Sequence, residues 1–89
     1  MFYVYILHCK KTNKLYAGFS NNLKKRINQH LKKEVYTTKR LGDCKLIFYE
    51  AFENKKDAQR REKYFKTNKG KRALKLMLKE FLRPHRLVA

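Results

Sequence analysis

Two tyrosines, an arginine, a histidine and a glutamate stand in this chain at positions that raise the question of whether they carry chemistry. In "KLYAGFSNNLKKRINQH", Lys14 to His30, Arg26 and His30 are four residues apart and so share one face of a helix. Ile27 follows Arg26 and Leu31 follows His30, which puts both polar groups beside an apolar stripe, at the edge of a core. Glu62 lies four residues after Ala58 and three before Phe65, on the inward face of a later helix. A carboxylate in that position needs an arginine or a metal beside it. On pattern alone, a salt bridge to Arg26 and metal binding weigh equally. Side chains of these types suit phosphodiester hydrolysis: an arginine neutralises developing charge, a metal polarises a phosphate oxygen, and a phenolate acts as base. A free tyrosine has a pKa of ~10, so the base role requires lowering by nearby cations.

Tyr5 stands in "FYVYILH", Phe2 to His8, which is rich in β-branched and aromatic residues and apolar on both alternating faces, as a central strand covered on both sides would be. Tyr16 stands in "KLYAGF", and the polar turn Lys10 to Asn13 joins the two segments as an antiparallel hairpin. A strand tyrosine is most often a core residue whose hydroxyl finds one partner. Side chains alternate along strands, however, so Tyr5 and Tyr16 share a sheet face only if paired residue numbers sum to an odd value. A four-residue loop with Cys9 opposite Lys14 meets that condition and brings both phenols to one side. Gly18, near the end of the second strand, allows either a kink or close approach by another group.

Ser20, Asn21 or Asn22 caps the first helix, whose apolar positions Leu23, Ile27 and Leu31 recur at four-residue spacing, flanked by Lys24, Lys25, Lys32 and Lys33. A basic, irregular segment from Glu34 to Cys44 follows, and "KLIFYEAF" gives a third strand. Asn54 caps a helix from about Lys55 to Lys66 that stops near Asn68 and Gly70. The last helix runs from about Lys71 to Leu82, with Ala73, Leu74, Met77, Leu78 and Phe81 on one face, until Pro84 ends it. The order β-β-α-β-α-α describes a small α+β domain with an antiparallel sheet.

At 89 residues the chain has room for one domain and one modest core, which six Tyr and six Phe supply with large apolar surface. Its 24 Lys plus Arg against 7 Asp plus Glu give a formal charge of +17, so the expected partner is a polyanion. Nucleic acid is favoured over anionic membrane, because no apolar run approaches ~18 residues and no basic amphipathic helix stands apart from the core. The apolar start, Met1 to Leu7, has neither the basic flank nor the cleavage site of a signal peptide and reads as a strand. Cys9 and Cys44 stand 35 residues apart without a CxxC pair or a histidine at zinc spacing, so they read as two reduced thiols in a cytosolic protein.

"YVY" at Tyr3 to Tyr5, "YAG" eleven residues later at Tyr16 to Gly18, then Arg26, His30 and a helical Glu62 together resemble the GIY-YIG nuclease superfamily. The resemblance covers nearly the whole chain and is nearest to the short, stand-alone branch named after the excision-repair nuclease, whose N-terminal nuclease domain it resembles. It implies a three-stranded antiparallel sheet flanked by helices, and a DNA endonuclease linked to repair or recombination. Tyr5 and Tyr16 match the two motif tyrosines, one of which helps deprotonate the attacking water, and Gly18 matches the motif glycine. Arg26 matches the arginine that holds the scissile phosphate, His30 the histidine four residues on, and Glu62 the carboxylate that binds a single divalent metal, normally magnesium, with manganese as a substitute. The chain departs from the pattern at Tyr3 and Ala17, changes that bear on packing more than on catalysis. Phe19 stands where some members carry a lysine beside the phosphate, and the downstream asparagine of larger members has no counterpart.

A single carboxylate ligand leaves most magnesium positions to water and substrate phosphate, so metal affinity without DNA is expected to be poor. Lys24, Lys25, Lys32, Lys39 and Arg40 are expected to contact backbone phosphates rather than bases. Related nucleases gain targeting from an attached domain, for which 89 residues leave no room, so whether a partner protein supplies it stays an open question at this point. A non-catalytic nucleic-acid-binding module on the same fold is the rival reading, and a small RNA-binding protein of the ribosome is a third. Neither gives the inward carboxylate a reason to approach phosphate.

Overall fold

The computed structural model describes residues 1–32 and 43–86. Strands β1 (Phe2–Cys9), β2 (Lys14–Ser20) and β3 (Cys44–Phe52) form one antiparallel sheet in the order β2-β1-β3. Helix α1 (Leu23–Leu31) follows β2, and α2 (Lys55–Phe65), α3 (Asn68–Met77) and α4 (Lys79–Arg86) follow β3. The apolar "FYVYILH" segment is thus the central strand. From Val4 to Cys9 it is wholly buried, because both of its faces and both of its hydrogen-bonding edges are covered.

The hairpin closes with Cys9 opposite Lys14, the register that the loop length predicts. Asn13 takes φ +55°, which asparagine tolerates better than most residues, and its amide donates to the Cys9 carbonyl at 2.8 Å. Its side-chain oxygen lies 2.8 Å from Nε2 of the buried His8. The even-numbered face of β1 forms the main core: Val4 and Ile6 join Ala17, Ala58, Phe65 and Leu74 beneath α2 and α3. The odd-numbered face carries Tyr5, Leu7 and Cys9.

On the β3 side the pairing slips by one residue between Ile6 and Leu7. Above the slip Tyr5 faces Tyr49; below it Leu7 faces Leu46 and Cys9 faces Cys44. Continued without the slip, the upper register would have put Lys45 opposite Cys9. The extra residue of this bulge therefore turns Cys44 onto the same face as Cys9. The two sulfurs are bonded, which corrects the expectation of two reduced thiols and removes that argument for a cytosolic location. Closing a loop across a sequence separation of 35 removes unfolded-state freedom equivalent to about 4 kcal/mol on the chain-entropy account.

The helix boundaries also differ from the periodicity reading. Gly70 does not end a helix: it is buried inside α3 against the backbone of Tyr64 and Phe65, where a side chain has no space. Thr67 caps α3, accepting from the Gly70 amide at 3.0 Å. The expected final helix is divided between α3 and α4, and Pro84 lies within α4. Leu31 is 62% exposed, because the face of α1 that meets the protein runs through Leu23, Arg26, Ile27 and His30 instead. Among the described residues no helix is long and apolar enough to cross a membrane.

Candidate active site

The register Tyr5↔Gly18 and Leu7↔Tyr16 places both phenols on the same face of the sheet. Gly18 permits this by close approach. The Tyr5 ring lies directly over it, and an added Cβ would overlap the phenol's Cζ and Oη and stand 2.7 Å from Cε1. Because the ring is 1% exposed, it has no outward path. Gly18→Ala is expected to destabilise the domain by about 2–3 kcal/mol, read from the midpoint of urea unfolding at unchanged slope. An unchanged midpoint would show that the Tyr5 ring is free to move.

Helix α1 carries the next two groups across that face. Asn22 is its cap, accepting from the Lys25 amide at 3.1 Å, and its own amide is held by the Ser20 hydroxyl at 3.0 Å. Arg26 and His30, one turn apart, both reach Tyr5: Arg26 Nε donates to the phenol oxygen at 3.3 Å, and His30 Nε2 lies 2.9 Å from it. Arg26 Nη1 donates in addition to Gln29 Oε1 at 3.2 Å.

Burial pushes the Tyr5 phenol above the usual tyrosine range. The hydrogen bond and charge of Arg26 oppose this without overcoming it, and Tyr16 and Glu62 add to the rise. Burial, then the charge of Arg26, lowers His30. At neutral pH the pair is therefore a protonated phenol and a neutral imidazole. Arginine only donates, so the phenol oxygen accepts from Arg26 and directs its own proton to His30 Nε2. The lowering that a base role requires is therefore not met at Tyr5, where desolvation outweighs the nearby cation.

Tyr16 is only half-buried. Its ring stands edge-on to His30 with centroids 6.0 Å apart, and the Lys66 ammonium lies 6.0 Å from its centroid. Glu62 is half-buried on α2, with its side chain 21% exposed, and Oε2 accepts from Lys66 Nζ at 3.0 Å. A salt bridge from Glu62 to Arg26 does not form; the partner is Lys66. Tyr5, Tyr16, Arg26, His30 and Glu62 are thus linked through direct contacts or through Lys66. Among the described residues no three His, Cys, Asp or Glu side chains gather as a metal site.

A groove of about 390 Å³ opens beside Arg26, lined by Phe19, Ser20, Lys25, Arg26, Gln29 and Lys55 among others, with no acidic residue in its wall. A second hollow, of about 420 Å³ on the outer side of α1, carries Lys24, Lys25 and Lys32. Three of the expected phosphate contacts therefore lie on one exposed helix face, while Lys39 and Arg40 lie outside the described residues. Sequence reasoning missed Gln29, Lys55 and Lys66. Gln29 stands three residues after Arg26 and Lys66 four after Glu62, the helical spacings that could have pointed to them.

A family model described as the GIY-YIG catalytic domain matches residues 1–75, a span that includes all five of these positions. The chain is 52% identical over 68 residues to a UPF0213 protein of Clostridium perfringens, covering 74% of this chain and 71% of that one. It is 39% identical over 80 residues to a UPF0213 protein of Limosilactobacillus reuteri, covering 86% and 82%. Among solved structures it resembles the solution NMR structure of a UPF0213 protein from Bacillus halodurans, with a TM-score of 0.54 and 31% identity over 86% of this chain and 85% of that one.

Proposed function

The chain belongs to the GIY-YIG catalytic-domain family, a nuclease-type family, and from that premise we propose that it is a magnesium-dependent endonuclease that hydrolyses DNA phosphodiester bonds. The observation that carries this reading is the line of hydrogen bonds from Arg26 through Tyr5 to His30, with Tyr16 edge-on to His30, Glu62 within electrostatic reach of Tyr5, and Arg26 itself in the wall of a cationic groove. A binding module needs the cations alone and has no use for an oriented phenol pair beside a carboxylate.

DNA enters along the lysines of α1, which engage backbone phosphates without reading sequence. Arg26 keeps Nε on Tyr5 and one Nη1 proton on Gln29, so the guanidinium plane is fixed before substrate arrives and its remaining donors face the scissile phosphate. Tyr5 and His30 are positioning residues in this scheme. The Tyr5 phenol is buried, engaged on both sides and raised in pKa, so it is the wrong group to collect a proton from water. Tyr16, half-exposed on the same face, is the better placed base. The metal fits the donor set in a limited way: Glu62 Oε2 is occupied by Lys66, and Oε1 has no partner among the described residues. A lone carboxylate suits magnesium, which retains water and phosphate oxygens as its other ligands. When bound, the ion would neutralise charge on the phosphate and on the leaving oxygen.

The test is cleavage of plain, flapped and branched DNA duplexes by the purified protein with magnesium, with excess chelator, and after magnesium is restored. Strand cleavage that chelation stops and magnesium recovers is expected on at least one substrate. Tight binding to every substrate without cleavage would establish the non-catalytic module instead.

A further inference from the structure

We propose that Lys66 is a mobile internal counter-ion that holds Glu62 in the absence of DNA, competes there with the divalent metal, and passes to a DNA phosphate when substrate binds. The inference rests on the nuclease reading, since it concerns the same carboxylate. Pairs four residues apart are common on helix surfaces and by themselves mean little. Two observations single out this one. Glu62 is the half-buried carboxylate within electrostatic reach of Tyr5, so its charge is less screened than that of a surface acid. The same ammonium that meets Glu62 Oε2 at 3.0 Å also lies over the Tyr16 ring, so one flexible side chain touches both the proposed ligand and the proposed base.

Lys66 itself is half exposed, and its four-carbon stem lets the ammonium leave the carboxylate for solvent or phosphate without moving the helix. With Lys66 in place the carboxylate is neutralised and a cation gains little by entering. With a phosphate drawing Lys66 away, Glu62 is released as the second negative partner of the metal. The exchange makes metal binding depend on substrate.

Manganese titrated into DNA-free protein, with free ion followed by electron paramagnetic resonance, tests this without relying on turnover. Lys66→Met keeps the stem and removes the charge, and it is expected to bind manganese about three- to tenfold more tightly than wild type. Lys63→Met removes an equal charge that makes no ion pair with Glu62 and should shift affinity by less than about twofold. Lys66→Arg should return affinity toward wild type, because a guanidinium again occupies the carboxylate. Equal manganese affinity in wild type and Lys66→Met, or an equal rise in Lys63→Met, would overturn the proposal. Adding Glu62→Gln to Lys66→Met separates the two readings. Loss of the tightened binding supports competition at Glu62, whereas its persistence removes Glu62 as metal ligand and with it the metal part of the nuclease reading.

Discussion

Glu62→Gln is expected to lower the DNA cleavage rate by about a thousandfold while leaving the fold and DNA affinity intact. The substitution is nearly isosteric, and the amide oxygen still accepts from Lys66, so the local geometry on α2 survives. What it removes is the negative charge that would hold a divalent ion, whose stabilisation of transition-state charge amounts to several kcal/mol. At about 1.4 kcal/mol per tenfold, that converts to three or more powers of ten. DNA affinity should hold or rise slightly, because one of only 7 acids in a chain of formal charge +17 is lost. Single-turnover cleavage and filter binding on the same preparation separate the two effects, and circular dichroism checks the fold. Cleavage equal to wild type would remove the metal from the mechanism.

Arg26→Ala should cost a comparable factor, about a thousandfold, for a different reason. It withdraws a fixed cation from the phosphate, a loss of the order seen when a preorganised donor to a developing oxyanion is deleted. It also takes the one cation that opposes the rise of the Tyr5 phenol and a charge that holds His30 down, so both partners titrate higher than in wild type. Arg26→Lys is the sharper variant. It keeps the charge and should retain most of the DNA affinity, but an ammonium cannot engage Tyr5, Gln29 and phosphate in one plane, so it should recover little of the rate. Binding measured against salt should show the slope fall by about one for alanine and hold for lysine. A lysine variant that cleaves like wild type would mean that the guanidinium fork has no part in the reaction.

Much of this arrangement was legible in the sequence because it depends on short-range periodicity. The hairpin register follows from a four-residue loop, and the shared face of Tyr5 and Tyr16 follows from alternation along two strands. The common face of Arg26 and His30 follows from a spacing of one helical turn, and the burial of Ala58 and Phe65 from a spacing of two. Other expectations failed where several elements compete for the same surface. Leu31 continues the apolar stripe in the sequence, yet His30 is the residue buried at that end of α1, because the Tyr5 hydroxyl offers it a partner. Gly70 has the composition of a helix end, but its missing side chain serves the close contact of α3 with α2.

What the sequence determined by itself is the order of strands and helices as far as α2, the parity of the first hairpin and the types of side chain available for phosphate chemistry. These are local matters, decided within a few residues by loop length, alternation and helical turn. Only the tertiary structure decided that Cys9 meets Cys44, since one extra residue in β3 reverses which side chains face inward and no local pattern marks it. It likewise decided that Lys66 rather than Arg26 neutralises Glu62, and that Tyr5 is held as a protonated phenol. Charge partners and proton affinities depend on distance and desolvation between segments far apart in the chain, and those quantities exist only once the segments have packed.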